Sequence, residues 1–136
     1  MREVARRWVE KAEEDYRAIQ ILVHVEDFPP SVVGFHAQQC VEKYLKAFLV
    51  DHGLEPLRIH DLVKLNSLCS EVDPSFGSIM DSLDVLNPFS TDFRYPGSEV
   101  GVEQAREAVV QAEKVRDFVR RKLELENDES GGEFHV

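Results

Sequence analysis

SVVGFHAQQCVEKYLKAFLVDHG, residues Ser31 to Gly53, is the stretch on which the fold turns. Val33, Ala37, Cys40 and Tyr44 recur at steps of three and four, with Val41, Leu45 and Phe48 beside them. That apolar face is too wide for one neighbour, so the segment reads as a central helix buried on two others. Ser31 is placed to cap its start, and Gly53 suits the left-handed turn that ends a helix near His52.

Helical spacing continues outward on both sides, and no strand-like alternation of useful length appears, so the fold class is all-α. Upstream, Ala5, Trp8, Ala12, Asp15, Ile19 and Leu22 mark a first helix over about Arg2 to Glu26. Their spacing is that of the seam of an antiparallel bundle. Asp27-Phe28-Pro29-Pro30 ends it, since proline lacks an amide donor and restricts the residue before it. Downstream, a third helix begins around His60-Asp61 with Leu62, Leu65, Leu68 and Cys69 inward, and ends near Asp73-Pro74. A short fourth carries Phe76, Ile79, Met80, Leu83 and Leu86 before Asn87-Pro88. The last, roughly Val102 to Leu125, buries Val102, Ala105, Val109, Ala112, Val115, Val119 and Leu123. Phe89 to Gly101 is an aromatic-rich irregular connection, long for a bundle, and such loops are usually functional. The division expected is a helical bundle over residues 1–125 and an acidic, disordered tail over 126–136.

Composition narrows the function. A chain of 136 residues with 43% hydrophobic and 31% charged residues is a globular domain. The net charge of −10 opposes a general nucleic-acid binder, but five of the 26 acidic residues lie in the tail beyond Leu123. The body keeps 16 basic residues against 21 acidic ones, which leaves room for a local basic patch. No apolar run approaches a membrane span. Arg2, Glu3 and Arg6 follow Met1 where a secretory signal would be apolar, and two cysteines make no disulfide framework. A cytoplasmic protein without membrane contact is expected. Cys40 and Cys69 lack metal-ligand spacing, no His-x-x-x-His pair occurs, and no Gly-rich phosphate loop or nucleophile elbow is present, so neither metal nor cofactor is expected.

Three constellations carry chemistry. His36, Gln39, Lys43 and Lys46 fall at steps of three, four and three, which turns their donors to one side of the central helix. They are either ligands for phosphate or base edges, or a solvated face whose lysines pair with Glu42 and Asp51. His60-Asp61 stands where a helix begins: Asp61 caps it, and His60 either closes the loop or serves as phosphate ligand or general acid–base. Phe93-Arg94-Tyr95-Pro96 sets a guanidinium between two aromatics, suited to a phosphate or a stacked base. The alternative is that Arg94 braces a bundle carboxylate such as Asp15, which interrupts the first helix's seam and needs a partner if buried.

Trp8…Ala12…Asp15-Tyr16, Phe35-His36-Ala37-Gln39…Val41-Glu42-Lys43-Tyr44-Leu45-Lys46-Ala47, His60-Asp61-Leu62 and Arg94-Tyr95-Pro96, in that order, resemble the HEPN domain family over about Trp8 to Leu123. The resemblance implies an up-and-down antiparallel bundle of four to five helices, often a homodimer, and a role in nucleotide or RNA binding beside a minimal nucleotidyltransferase partner. Ligand binding is expected of His36, Gln39, Lys43, His60, Asp61, Arg94 and Tyr95, the polar groups that fall within these segments. Many HEPN toxins are metal-independent ribonucleases using Arg, four to six residues, then His, late in the bundle. Here Arg94 has no such histidine, Arg58 and His60 stand too close, and Arg17 with His24 is a match in the first helix that chance alone supplies. The resemblance therefore points first to a non-catalytic binding module of a two-component, toxin–antitoxin-like system. The alternative is a ribonuclease toxin with His60 as acid–base and Arg94 as phosphate clamp.

Overall fold

The computed structural model of the chain describes residues 1–55, 58–91, 93 and 95–126. Arg94 and the tail from residue 127 onward lie outside the described residues. Among the described residues five α-helices form one antiparallel bundle: α1 (Glu3–Leu22), α2 (Pro30–Asp51), α3 (Leu62–Val72), α4 (Met80–Leu86) and α5 (Val102–Lys122). No strand occurs among the described residues.

The broad apolar face of α2 does what its width requires. Val33, Ala37, Cys40, Val41, Tyr44, Leu45 and Phe48 are all buried, and α2 touches each of the other four helices. The helix starts one residue before Ser31, with Pro30 in its first turn, where a missing N–H costs nothing. At its other end Gly53 adopts φ +81°, its N–H donates to the Val50 carbonyl and that of Leu54 to the Leu49 carbonyl, a paired closure that satisfies two orphan carbonyls.

α1 lies antiparallel to α2: the Arg2 N–H reaches Asp51 at 2.8 Å, and His36 meets Asp15. It is also antiparallel to α5, since Glu13 pairs with Arg116 and Gln20 with Glu113. α1 stops at Leu22 rather than Glu26, and the turn that follows places Asp27 at φ 56°. The fourth expected helix is composite, a 3-10 segment at Pro74–Ile79, then α4, then a second 3-10 turn at Asn87–Ser90. Prolines open both 3-10 segments. Val102, expected inward, is exposed at the first turn of α5.

One close approach fixes the segment after α4. Phe89 lies over Gly34, so near that a Cβ on Gly34 would sit 2.1 Å from its ring. Phe93 packs against the same ring with centroids 4.9 Å apart. Without a side chain at Gly34 the segment carrying Asn87, Pro88 and Ser90 seats directly on α2.

Candidate functional site

At 100° per residue, His36, Lys43, Gln39, Lys46, Glu42 and Gln38 follow one another around roughly 160° of the α2 circumference, a single polar ribbon. Each of its cations meets a buried carboxylate. On one flank Asp15 of α1 accepts from His36 Nδ1 at 2.8 Å and from Lys43 Nζ at 2.6 Å. Asp15 thus has the partner its burial demanded, and the partners come from α2. On the other flank Glu42 accepts from Lys46 Nζ at 2.9 Å and from His60 Nδ1 at 3.0 Å. Gln39 lies between the flanks, donating to Gln38 at 2.7 Å and to Glu42 at 3.3 Å.

Glu42 and Lys46 are both almost fully buried. Burial opposes ionisation of the Glu42 carboxyl, but hydrogen bonds from Lys46 and His60 and the Lys46 charge outweigh it and hold the group below its ordinary range. The indole of Trp8 covers Lys46 at 5.5 Å from the ring centroid. His60 differs from its neighbours. Its side chain is 71% exposed, while its Nδ1 is fixed by a carboxylate that is not. Gln38 also holds the His60 carbonyl at 3.2 Å, so backbone and ring are both tied to α2. A ring that donates through Nδ1 keeps the Nε2 lone pair, the arrangement that makes an imidazole a general base. His36 has the same Nδ1-to-carboxylate contact but is only 33% exposed.

Asp61 caps α3, accepting from the N–H groups of Val63 at 2.9 Å and Lys64 at 3.4 Å. Asn87 locks that corner: its amide donates to Asp61 at 3.1 Å and its oxygen accepts from the Leu62 N–H at 2.9 Å. His60, Asp61, Asp84, Asn87, Pro88, Ser90 and Thr91 line a cleft of about 450 Å³. The structure therefore brings His36, Gln39, Lys43, Lys46, His60 and Asp61 into one region. Tyr95 is 66% exposed and shares no hydrogen bond or ring contact with the ribbon.

A third ionic group went unread in the sequence. Arg116, on the buried side of α5, grips Glu13 with Nε at 2.7 Å and Nη2 at 2.8 Å. The Tyr44 hydroxyl donates to the same carboxylate and accepts from Arg120 at 3.0 Å. The Arg116 guanidinium also lies 4.0 Å from the Tyr16 ring centroid. Burial opposes charge on Glu13, yet Arg116 and Tyr44 keep its carboxyl below the ordinary range. Burial and the Glu13 charge push the Tyr44 phenol up. This group ties α1, α2 and α5 together. The signal for it was an arginine beside Val115 and Val119 on an apolar stripe.

The HEPN domain family model matches residues 5–122. The crystal structure of TT1696 from Thermus thermophilus superposes with a TM-score of 0.70 at 27% identity, covering 87% of this chain and 97% of that one. A protein of Methanocaldococcus jannaschii named "Putative toxin MJ1304" is 40% identical over 50 residues, 37% of this chain and 32% of that protein. That match spans about a third of the relative's length.

Proposed function

Since this chain belongs to the HEPN domain family, we propose that it is a toxin-type protein that cleaves single-stranded RNA with His60 as acid–base group. The observation that carries this reading is the pairing of an exposed His60 ring with a buried Glu42 carboxylate through Nδ1 at 3.0 Å. Nε2 takes the proton of a ribose 2′-hydroxyl, the 2′-oxygen attacks the adjacent phosphorus as the bond from phosphorus to the 5′-oxygen breaks, and the protonated His60 returns that proton to the departing 5′-oxygen. The products end in a 2′,3′-cyclic phosphate and a 5′-hydroxyl. His36 and Lys43 are the phosphate-facing groups of the ribbon. The name of the archaeal relative supports the toxin assignment.

The test is cleavage of a mixed single-stranded RNA in EDTA. Wild type yields cyclic-phosphate ends and His60→Ala does not. Intact RNA with the wild-type protein, or undiminished cleavage by His60→Ala, overturns the assignment. A second reading is favoured by one fact of sequence, the lack of a histidine four to six residues after Arg94. In it the protein is a homodimeric module that binds nucleotide or RNA without cutting it and associates with a nucleotidyltransferase. RNA retained but uncut, with a complex recovered on co-expression, selects that reading.

A further inference from the structure

The cleft beside His60 has a lopsided hydrogen-bonding capacity. Both donors of an amide and its acceptor are available in principle at Asn87, but the donor contact to Asp61 and the acceptor contact to the Leu62 N–H orient it toward the protein. The Ser90 hydroxyl donates to the Asn87 carbonyl at 3.2 Å, which leaves its oxygen as an acceptor. Asp61 spends one carboxylate oxygen on the α3 amides and on Asn87, and the second has no partner among the described residues. Asp84, exposed on α4, has no hydrogen bond or ion pair among the described residues. Among the described residues the wall therefore offers mainly acceptors, from Asp61, Asp84 and the Ser90 oxygen, beside the Thr91 hydroxyl. Pro88 adds an apolar surface on which a flat ring can lie.

Two carboxylates repel a phosphate, so the phosphate of any RNA lies on the ribbon side of His60. What enters this cleft must bring donors. Among the four RNA bases, the Watson–Crick edge of guanine alone presents two adjacent donors, N1–H and N2–H, which match the two oxygens of one carboxylate. The edges of adenine, cytosine and uracil each set an acceptor beside their donor, and that acceptor would face Asp84 unpaired. The cleft's volume of about 450 Å³ lies within the usual range for small-molecule sites. We propose that this cleft is a guanine-reading subsite, with Asp84 taking the N1–H and N2–H edge and Pro88 supporting the ring. The inference rests on the RNA reading above and names the base that reading leaves open.

The experiment is amide-resonance titration of the full chain with the 5′-monophosphates of guanosine, adenosine, cytidine and uridine, repeated with Asp84→Asn. Asp84 is exposed and unpartnered among the described residues, so the variant keeps the wild-type melting temperature. Guanosine monophosphate is expected to bind about tenfold tighter than the other three, the discrimination of one bidentate pair. Asp84→Asn is expected to equalise all four. Equal affinities in the wild type, no binding of any nucleotide, or a preference that survives Asp84→Asn overturns the proposal. So does Mg²⁺ or Ca²⁺ alone moving the Asp84 and Asn87 resonances while guanosine monophosphate leaves them in place, which would make the carboxylates a cation site. Guanine preference without RNA cleavage keeps this subsite and sinks the ribonuclease reading. Cleavage indifferent to guanine does the reverse.

Discussion

Gly34→Ala tests whether the seat under Phe89 governs this part of the bundle. A methyl group there would lie 2.1 Å and 2.3 Å from two ring atoms of Phe89. Carbon–carbon contact is comfortable at about 3.5–4.0 Å, so the ring must retreat by about 1.5 Å. Such a retreat meets packed neighbours: Phe89 is buried, and its ring already lies against Phe93. Overpacking of this kind costs about 3 kcal/mol, the upper part of the usual range. Replacing glycine inside a helix returns about 1 kcal/mol, which leaves a net loss of about 2 kcal/mol. For a domain of this size that is a fall in melting temperature of roughly 6–10 °C, read by calorimetry or circular dichroism. The control is the same substitution in a Phe89→Leu background, where the obstructing ring edge is gone and most of the penalty should vanish. An unchanged or raised melting temperature for Gly34→Ala refutes the reasoning. So does an equal loss in both backgrounds, because the cost would then not arise at Phe89.

Glu42→Ala strands the buried Lys46 ammonium and should cost about 3–5 kcal/mol, whereas Glu42→Ala with Lys46→Met should recover most of it; urea unfolding decides, and a double variant no more stable than the single contradicts the pairing. Glu13 and Glu42 are both held below their ordinary value of 4.5 in the folded state, so between that value and the folded ones the unfolded chain binds more protons. Their stabilisation is fully present above about pH 4.5 and is lost as the pH falls through the folded values; a urea midpoint that stays flat below pH 4.5 would count against it. Burial pushes the Cys69 thiol up to about 12 and Cys40 well above its ordinary range, so neither should react with a disulfide reagent at pH 8 until urea unfolds the chain.

Much of this was legible in the sequence because it is local. The period of α2, the Gly53 stop and the Asp61 cap are each set by a few neighbouring residues, and each stands where the spacing put it. Asp15, polar on an apolar seam, announced that it needed a partner. Its partner was another matter. His36 and Lys43 lie 21 and 28 residues away, and nothing local distinguishes them from Arg94 as the brace. The expected pairing of the stripe's lysines was half right: Lys46 holds Glu42, while Asp51 accepts instead from the Arg2 backbone. Glu13 and Arg116, 103 residues apart, were invisible for the same reason. Gly34 carries no local signal of its role, because the ring that explains it comes from beyond α4. The 3-10 segments blurred into one helix since Phe76, Ile79, Leu83 and Leu86 point inward under either geometry.

The pairing of both ribbon lysines with carboxylates, Lys43 with Asp15 and Lys46 with Glu42, has a consequence for how this face meets a polyanion. Lys43 and Lys46 are already neutralised by Asp15 and Glu42, so they hold little of a mobile ion atmosphere that an RNA strand could displace. Single-stranded binding normally gains from counterion release, about 0.7 in the slope of log K against log salt for each phosphate neutralised. A strand seated on this ribbon should therefore show a slope shallower than about −2, with affinity carried by hydrogen bonds and base contacts rather than by salt-sensitive attraction.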